Sequence, residues 1–438
     1  MARPDTVIVL AAGQGTRMKT GWAKVMAPLC GRPLIAWVLD QALALEPRRV
    51  LVVVGYRADE VRKAVEKHPA GGATIECVLQ EEQRGTGHAV QCCLPQLADA
   101  KGPVVLLYGD MPLLSSASLT RLCDEQGASA GGMALLTSRP HDPRGFGRIV
   151  RGADGAVQRI VEEKDADLAT RAIEEVNLGV YCFDAGLLRE ALPALQPNNA
   201  QRELYVTDVV AHFVGARRNV RAVEVENELE AIGINTLKHL SEARVAAQER
   251  ILEEHLARGV YIEDPATTYI DHGVAIGVGT IIEPCCVIRA GAVIGAGCHV
   301  GPFAHIGPDT TLEDGAEIGN FVETKRSRIG AKTKAKHLAY IGDGRIGARC
   351  NIGAGTIFAN YDGKKKSITT VHDGAFVGSG SVLVAPCEIG AGAYTGAGAV
   401  VTRNSKLEPG AVWVGVPARQ LRAAQSGSTD VRKDTNKA

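Results

Sequence analysis

Two different periods of apolar residues divide this chain. Between Ile276 and Ile318 an aliphatic residue recurs at every sixth position, as Ile276, Ile282, Ile288, Ile294, Val300, Ile306, Leu312 and Ile318, and glycine follows five of these eight. A helix repeats near 3.6 residues and a simple strand at 2, so neither produces a strict six. A parallel β-helix does, because each flat side of a prism carries one six-residue step and three steps close a coil. The aliphatics then stack inward as a continuous core, and glycine serves where the corner backbone is left-handed or crowded. The repeat starts near Gly273, loses strict phase after Ile318, resumes loosely through Ile329, Ile341, Ile352, Val377, Leu383 and Ile389, and fades near Val416. Phe358 to Asp373, containing Asn-Tyr-Asp-Gly-Lys-Lys-Lys, breaks the pattern and reads as a loop ejected from a coil.

The first 235 residues follow another rule. Val7–Leu10, Val50–Val54, Val104–Leu107 and Met133–Leu136 are short aliphatic runs, as strands buried on both faces require. Helical stretches at Leu34–Leu45, Asp59–Lys67 and Gly87–Leu97 lie between or after them. This βαβα order predicts an α/β doubly wound, mostly parallel sheet, whose ligands sit at the C-terminal strand ends. Thr236 to Arg258 has neither Gly nor Pro, and Leu237, Leu240, Ala247 and Ile251 recur at helical spacing, which predicts one long linking helix. The expected division is therefore 1–235, a linker helix 236–258, a β-helix domain 259–420, and a polar, disordered tail 421–438.

Bulk composition narrows the function classes. The formal net charge is zero with 22% charged residues, so nothing global points to nucleic acid or an anionic membrane. No apolar run reaches 18 residues and the N-terminus lacks a signal peptide, so neither membrane insertion nor secretion is expected. Eleven cysteines without Cys-x-x-Cys spacing predict reduced thiols in a cytoplasmic protein, most of them small core hydrophobes.

The chemistry begins where strand Val7–Leu10 runs into Ala11-Ala12-Gly13-Gln14-Gly15-Thr16-Arg17-Met18. Two glycines two apart after a strand let backbone N–H groups approach a phosphate. A Walker A loop would need Gly-Lys-Ser/Thr, and the dinucleotide fingerprint needs a third glycine where Met18 stands. Arg17 and Lys24 bring two cations to the same strand end, suited to a triphosphate and its departing pyrophosphate. Asp110, beyond Val104–Leu107, stands where a hard cation such as Mg²⁺ finds an oxygen ligand. Taken alone, however, Asp110 is equally a turn carboxylate, Glu162 in Glu-Glu-Lys-Asp reads as solvated surface, and Asn235 carries no signal.

Leu-Ala-Ala-Gly-x-Gly-Thr-Arg-Met followed by Lys24 resembles the sugar-1-phosphate nucleotidylyltransferases. Gln80, then Gln83-Arg84-Gly85-Thr86-Gly87-His88-Ala89, Tyr108-Gly109-Asp110-Met111-Pro112-Leu113, Gly145-Phe146-Gly147-Arg148-Ile149, Val161-Glu162 and Asn198-Asn199-Ala200-Gln201 follow in that family's order. Joined to a hexapeptide helix, they resemble the bacterial bifunctional UDP-N-acetylglucosamine pyrophosphorylase/glucosamine-1-phosphate N-acetyltransferase family, over roughly residues 5 to 420. The resemblance implies a left-handed β-helix, Mg²⁺ held by Asp110 and Asn235, and UTP and acetyl-CoA as co-substrates. It implies uracil and ribose contacts from Leu10, Ala11, Ala12, Gly13, Gln80, Gly85, Thr86, Tyr108 and Gly109. Sugar contacts would come from Gly147, Glu162 and Asn177, with Arg17 and Lys24 catalytic.

In the second half a lone His337 is more often structural than catalytic, but polar groups surround it in sequence. The resemblance makes His337 the general base, since imidazole titrates near neutral pH. It assigns Lys325, Tyr340, Asn351 and Lys366 to the amino-sugar phosphate, and Ala354, Asn360, Tyr361, Ser379 and Ala397 to acetyl-CoA. It also implies a homotrimer, with the groove lying between subunits. Two departures stand out: Gly307 and Gly415 occupy positions where that family carries arginines for the sugar phosphate and for CoA. Arg326, Arg328, Lys332, Lys334 and Lys336 are candidate substitutes, or simply a solvated basic face. Three alternatives stay open: acylation of another amino sugar, a β-helix serving only as a trimerisation scaffold, and a base other than uracil.

Overall fold

The computed structural model describes residues 3–129 and 131–421, so the polar tail from 422 lies outside the described residues. One compact unit runs to Ala247 and a second begins at Gln248, the division falling inside a single helix, Leu237–Ala257. No helix among the described residues is long and apolar enough to cross a membrane.

In the first unit, β1 (Thr6–Ala11), β2 (Arg49–Val54), β3 (Thr74–Leu79) and β4 (Val104–Tyr108) are parallel neighbours in the order β4-β1-β2-β3. Val7 and Val9 pack in one core with Val50 and Val52, whereas Ile8 packs in the opposite core with Leu51 and Leu106. Burial on both faces is why these strands are continuous aliphatic runs without alternation. The sheet continues beyond β4 through β5 (Met133–Ser138), β6 (Gly147–Arg151), β7 (Val157–Val161), β8 (Val176–Phe183) and β9 (Val220–Glu224). The doubly wound sheet stands as expected, with one feature the aliphatic runs did not show: β8, buried along its whole length, runs antiparallel to both β4 and β5. The helix expected at Gly87–Leu97 is also broken, into Thr86–Gln91 and Leu94–Leu97. Pro95 lacks the N–H that would continue the first piece, and its ring crowds the preceding turn.

The second unit is a three-sided left-handed parallel β-helix with faces of ten, eight and eight short strands. Successive strands of a face are three apart in sequence order and parallel, except the last, Arg419–Gln420, which turns back antiparallel on Val412–Val414. The six-residue ladder is thereby dealt onto three faces as Ile282, Val300 and Ile318, then Ile270, Ile288 and Ile306, then Ile276, Ile294 and Leu312. After Ile318 the next partners are Ala335 and Ile352, each 17 residues on and no longer 18, which is why the strict period is lost. The ejected loop is smaller than the sequence suggests. Ile357–Ala359 and Thr369–Val371 remain coil strands and Phe358 is fully buried, so the excursion is confined to 360–368.

Glycine's role also needs refinement. Many left-handed corners are held by other residues, including Phe303, Asp309, Phe321, Arg326, Leu338 and Asp343. Gly307 has an ordinary φ, but a Cβ there would lie 2.2 Å from the Thr324 carbonyl oxygen of the next coil. Close coil-on-coil approach, not backbone handedness, requires glycine at that position.

Candidate functional sites

In the first unit a cleft of about 290 Å³ opens at the C-terminal ends of the parallel strands. Leu10, Ala11, Ala12, Gly13, Lys24, Gln80, Gly85, Thr86, Tyr108 and Asp110 all line it. Gly109 does not line it, but its N–H donates to the carbonyl of the lining residue Leu10 at 2.9 Å. The phosphate-loop conformation is fixed from both sides: Tyr56 N–H (3.1 Å) and Gln83 Nε2 (2.8 Å) both donate to the Ala12 carbonyl. Val25, Gln83, Ala89 and Glu203 also line the cleft and were not among the expected contacts. Gln83 could have been chosen from its motif, whereas Glu203 in the sequence reads only as surface charge.

At the mouth of the cleft the chain gathers cations and oxygens. Lys24 Nζ donates to Asn235 Oδ1 at 2.7 Å and forms an ion pair with the Asp110 carboxylate. Arg17 donates to the same Asn235 oxygen at 2.8 Å. Asn235 is carried there by Ile234, whose N–H donates to the Asp110 carbonyl at 2.9 Å. One carboxylate and one amide oxygen facing a common cation is a donor set that fits Mg²⁺, which takes few protein ligands and completes its shell with water and phosphate. The lysine ammonium already occupies a position between those two oxygens.

The expected sugar contacts come together on the antiparallel strands. Gly147 pairs with Asn177, and Glu162 follows directly on β7. A Cβ on Gly147 would lie 3.5 Å from Glu162 Oε1. Asn177 donates to the Tyr181 hydroxyl at 2.7 Å and accepts from Gly179 N–H at 3.1 Å. The solvated-surface reading of Glu162 is overturned: it is half-buried and hydrogen-bonded to Thr207, and burial raises its carboxyl above the ordinary value. Tyr108 stands beside it, hydrogen-bonded to Thr86, its hydroxyl pushed upward by burial and then by the Glu162 charge. At Gly179, φ is +79° and a Cβ would lie 2.8 Å from the Tyr108 ring, so the β8 backbone can approach that ring only as glycine.

In the second unit the expected residues flank one edge of the prism. Gly355 N–H donates to the His337 carbonyl (3.2 Å), Gly380 N–H to Ala354 (2.7 Å) and Gly398 N–H to Ser379 (2.8 Å). His337, Ala354, Ser379 and Ala397 thus mark the same corner on successive coils. On one side His337 shares a cavity of about 170 Å³ with His299, Glu317, Asn320 and Lys336. Asn351 lies on that face one coil later, paired with Lys334. Around the corner, Tyr340 begins the next strand and Lys325 pairs with Gly342. A Cβ on Gly342 would lie 2.6 Å from both Tyr340 Oη and Asn360 Nδ2. Asn360 donates to Asp343, whose carboxyl is held low chiefly by Arg326, at 2.7 and 2.8 Å, and further by Lys366 on the excursion. Tyr361 is exposed on the same excursion and bridges to Lys366. Within one chain Lys325, Tyr340 and Lys366 do not line the His337 cavity.

The basic run near His337 is mostly engaged. Arg326 pairs with Asp343, Arg328 with Glu313, and Lys334 and Lys336 with Glu317 at 3.0 and 2.6 Å. The eleven cysteines form no disulfide.

Comparison with known proteins places both halves. A MobA-like NTP transferase domain matches residues 7–209, and bacterial transferase hexapeptide repeats match 291–326 and 368–403. The chain is 40% identical over 460 residues to the bifunctional protein GlmU of Shouchella clausii, covering 98% of this chain and 97% of that one. It is 41% identical to the namesakes from Pelobacter propionicus (91% of this chain, 93% of that) and Mycolicibacterium gilvum (95% and 90%). A solved UDP-glucose pyrophosphorylase complexed with UDP-glucose superposes with a TM-score of 0.48 at 17% identity, over 56% of this chain and 99% of that one, too distant to carry an argument.

Proposed function

The chain belongs to the family of bifunctional GlmU proteins, and on that premise we propose that it makes UDP-N-acetylglucosamine in two steps. The β-helix, residues 259–420, transfers acetyl from acetyl-CoA to the amine of glucosamine-1-phosphate. Residues 1–235 transfer uridylyl from UTP to N-acetylglucosamine-1-phosphate and release pyrophosphate. The product is a precursor for envelope polymers, and the setting is the cytoplasm, in keeping with eleven thiols and no disulfide.

The observation that carries the first step is the convergence of Lys24, Arg17, Asp110 and Asn235 beside the glycine loop. The sugar phosphate is already an anion, so no side-chain nucleophile is needed. Its oxygen attacks the α-phosphorus in line, the α–β P–O bond breaks, and Lys24 and Arg17 offset charge on the departing pyrophosphate. Asp110 and Asn235 would hold Mg²⁺, which would supply positive charge against the triphosphate. Gly147, Glu162 and Asn177 orient the sugar.

For the second step His337 takes a proton from the amine as nitrogen attacks the thioester carbonyl. The N–C bond forms, the C–S bond breaks, and CoA leaves as its thiol. Lys325, Tyr340, Asn351 and Lys366 hold the sugar phosphate, while Ala354, Asn360, Tyr361, Ser379 and Ala397 line the acetyl-CoA groove. These groups lie on both sides of one edge, and Lys325, Tyr340 and Lys366 do not line the His337 cavity of the single chain. That supports a homotrimer in which a second copy closes the pocket.

One observation favours a variant of this reading. Since Gly307 excludes any side chain, the clasp on the acceptor phosphate differs from an arginine clasp, and another amino sugar becomes a competitor. Mass spectrometry after incubation with UTP, acetyl-CoA, Mg²⁺ and glucosamine-1-phosphate tests the whole scheme. The expected products are UDP-N-acetylglucosamine, pyrophosphate and free CoA. Pyrophosphate release from N-acetylglucosamine-1-phosphate with no CoA thiol from glucosamine-1-phosphate would reject the second half.

A further inference from the structure

The buried Gln80 at the end of β3 raises a question that the cleft lining leaves open: which edge of its amide faces a nucleotide base. Gln80 is only 4% exposed, and its backbone N–H is taken by the Val54 carbonyl at 2.8 Å. Its side-chain Nε2 lies 3.1 Å from the Gly85 carbonyl oxygen and 3.2 Å from Nδ1 of His88. A carbonyl oxygen only accepts, so the amide atom facing Gly85 is the nitrogen. One of its two protons goes to Gly85 and the other meets His88. Nδ1 must therefore carry a lone pair, which makes the imidazole neutral with its proton on Nε2. Both donors of the amide are then engaged within the protein. Oε1 has no protein partner among the described residues, and Gln80 lines the cleft.

We infer that His88 is a positioning residue for nucleotide choice, holding Gln80 so that the base meets a hydrogen-bond acceptor and no donor. The inference rests on the proposed nucleotidyl transfer, with the base at Gln80. A pyrimidine whose N3 carries a hydrogen, the imide of uracil, satisfies that acceptor. Cytosine presents a bare N3 acceptor in the same place, so two lone pairs would face each other in a buried site. Thymine has the same imide as uracil, so the pair sorts imide from amidine pyrimidines and ignores the 5-methyl group. Without Nδ1 one buried amide proton has no partner and the Gly85 carbonyl alone holds the amide, which loosens the acceptor that excludes cytosine N3. His88 reaches this position because Gly85 N-caps the short helix Thr86–Gln91, which turns residue 88 back over the strand end.

The test is the ratio of kcat/KM for UTP to that for CTP, read as pyrophosphate release by the full chain with N-acetylglucosamine-1-phosphate. His88→Ala is expected to lower that ratio at least about tenfold, the free-energy scale of one buried hydrogen bond, with the change in KM. His88→Asn, whose Oδ1 falls where Nδ1 stands, is expected to keep the ratio within about threefold of wild type. Circular dichroism and a thermal melt of the same preparations report that the first unit of each variant is folded. Should His88→Ala fail to fold, His88→Asn alone decides: a ratio about tenfold down overturns the inference. An unchanged ratio in an active His88→Ala overturns it as well. Absence of pyrophosphate release by wild type with UTP would instead remove the underlying assignment of the cleft, and this inference with it.

Discussion

Lys24 and Asn235 are 211 residues apart in sequence, yet the lysine ammonium lies 2.7 Å from the asparagine amide oxygen. The same ammonium pairs with Asp110, so a single cation ties the glycine loop, the end of β4 and the last turn before helix Leu237–Ala257. The strand ends are thus fixed as one charged unit before any substrate arrives, which is the preorganisation that phosphoryl transfer rewards.

Removing Asp110 should break that unit. Asp110→Ala deletes one of the two oxygens proposed for the metal and leaves Lys24 with only Asn235. Pyrophosphate release is expected to fall on the order of 10²–10³-fold, as when a preorganised charge-stabilising group is lost, with acetyl transfer unchanged. A normal rate of release in this variant would reject Asp110 as part of the site.

The second unit gives the mirror experiment. His337→Ala should lower CoA release on the order of 10²–10⁴-fold, the range for a general base, and leave pyrophosphate release intact. If both activities survive, the β-helix is a scaffold.

At the acceptor site, arginine cannot simply be restored. Gly307→Arg is expected to destabilise the second unit by at least about 2 kcal/mol, because its Cβ would overlap the next coil's backbone. Denaturant unfolding of the variant measures this. Lys325→Ala, by contrast, should raise KM for glucosamine-1-phosphate about tenfold to 100-fold through loss of a charge-assisted contact. An unaltered KM would mean that the phosphate is held elsewhere.

Asp343 sets an acid limit. Arg326, then Asn360, hold its carboxyl below the ordinary 3.8. A depressed folded value means the stabilisation is complete above about pH 3.8 and is lost as pH falls through that folded value. Asp343→Asn should therefore melt below wild type at pH 7, and the gap should close as pH drops below about 3.8. Melting curves from pH 7 to pH 3 decide this, and a gap independent of pH would exclude the ion pair as its source.

Gly179 ties stability to the nucleotide site. Alanine there would have φ +79° and a Cβ 2.8 Å from the Tyr108 ring. Gly179→Ala should cost about 1–3 kcal/mol and raise KM for UTP, since Tyr108 is displaced. Calorimetry with initial rates measures both.

Much of this protein was legible one residue at a time. The period of six from Ile276 to Ile318 dictated the prism, because only a coil of three equal steps turns every sixth side chain inward. The aliphatic run at Val7–Leu10 followed by two glycines located the phosphate end of the sheet for a similar reason, since local spacing sets where side chains and bare backbone point. What the spacing could not contain was contact between distant segments. That Asn235 meets Lys24, that Glu162 is half-buried beside Tyr108, that His88 holds Gln80, and that Gly307 admits no side chain all depend on which strands and coils lie side by side. Those distances follow from packing the whole chain, where hydrogen bonds and steric overlap are settled by neighbours far away in sequence.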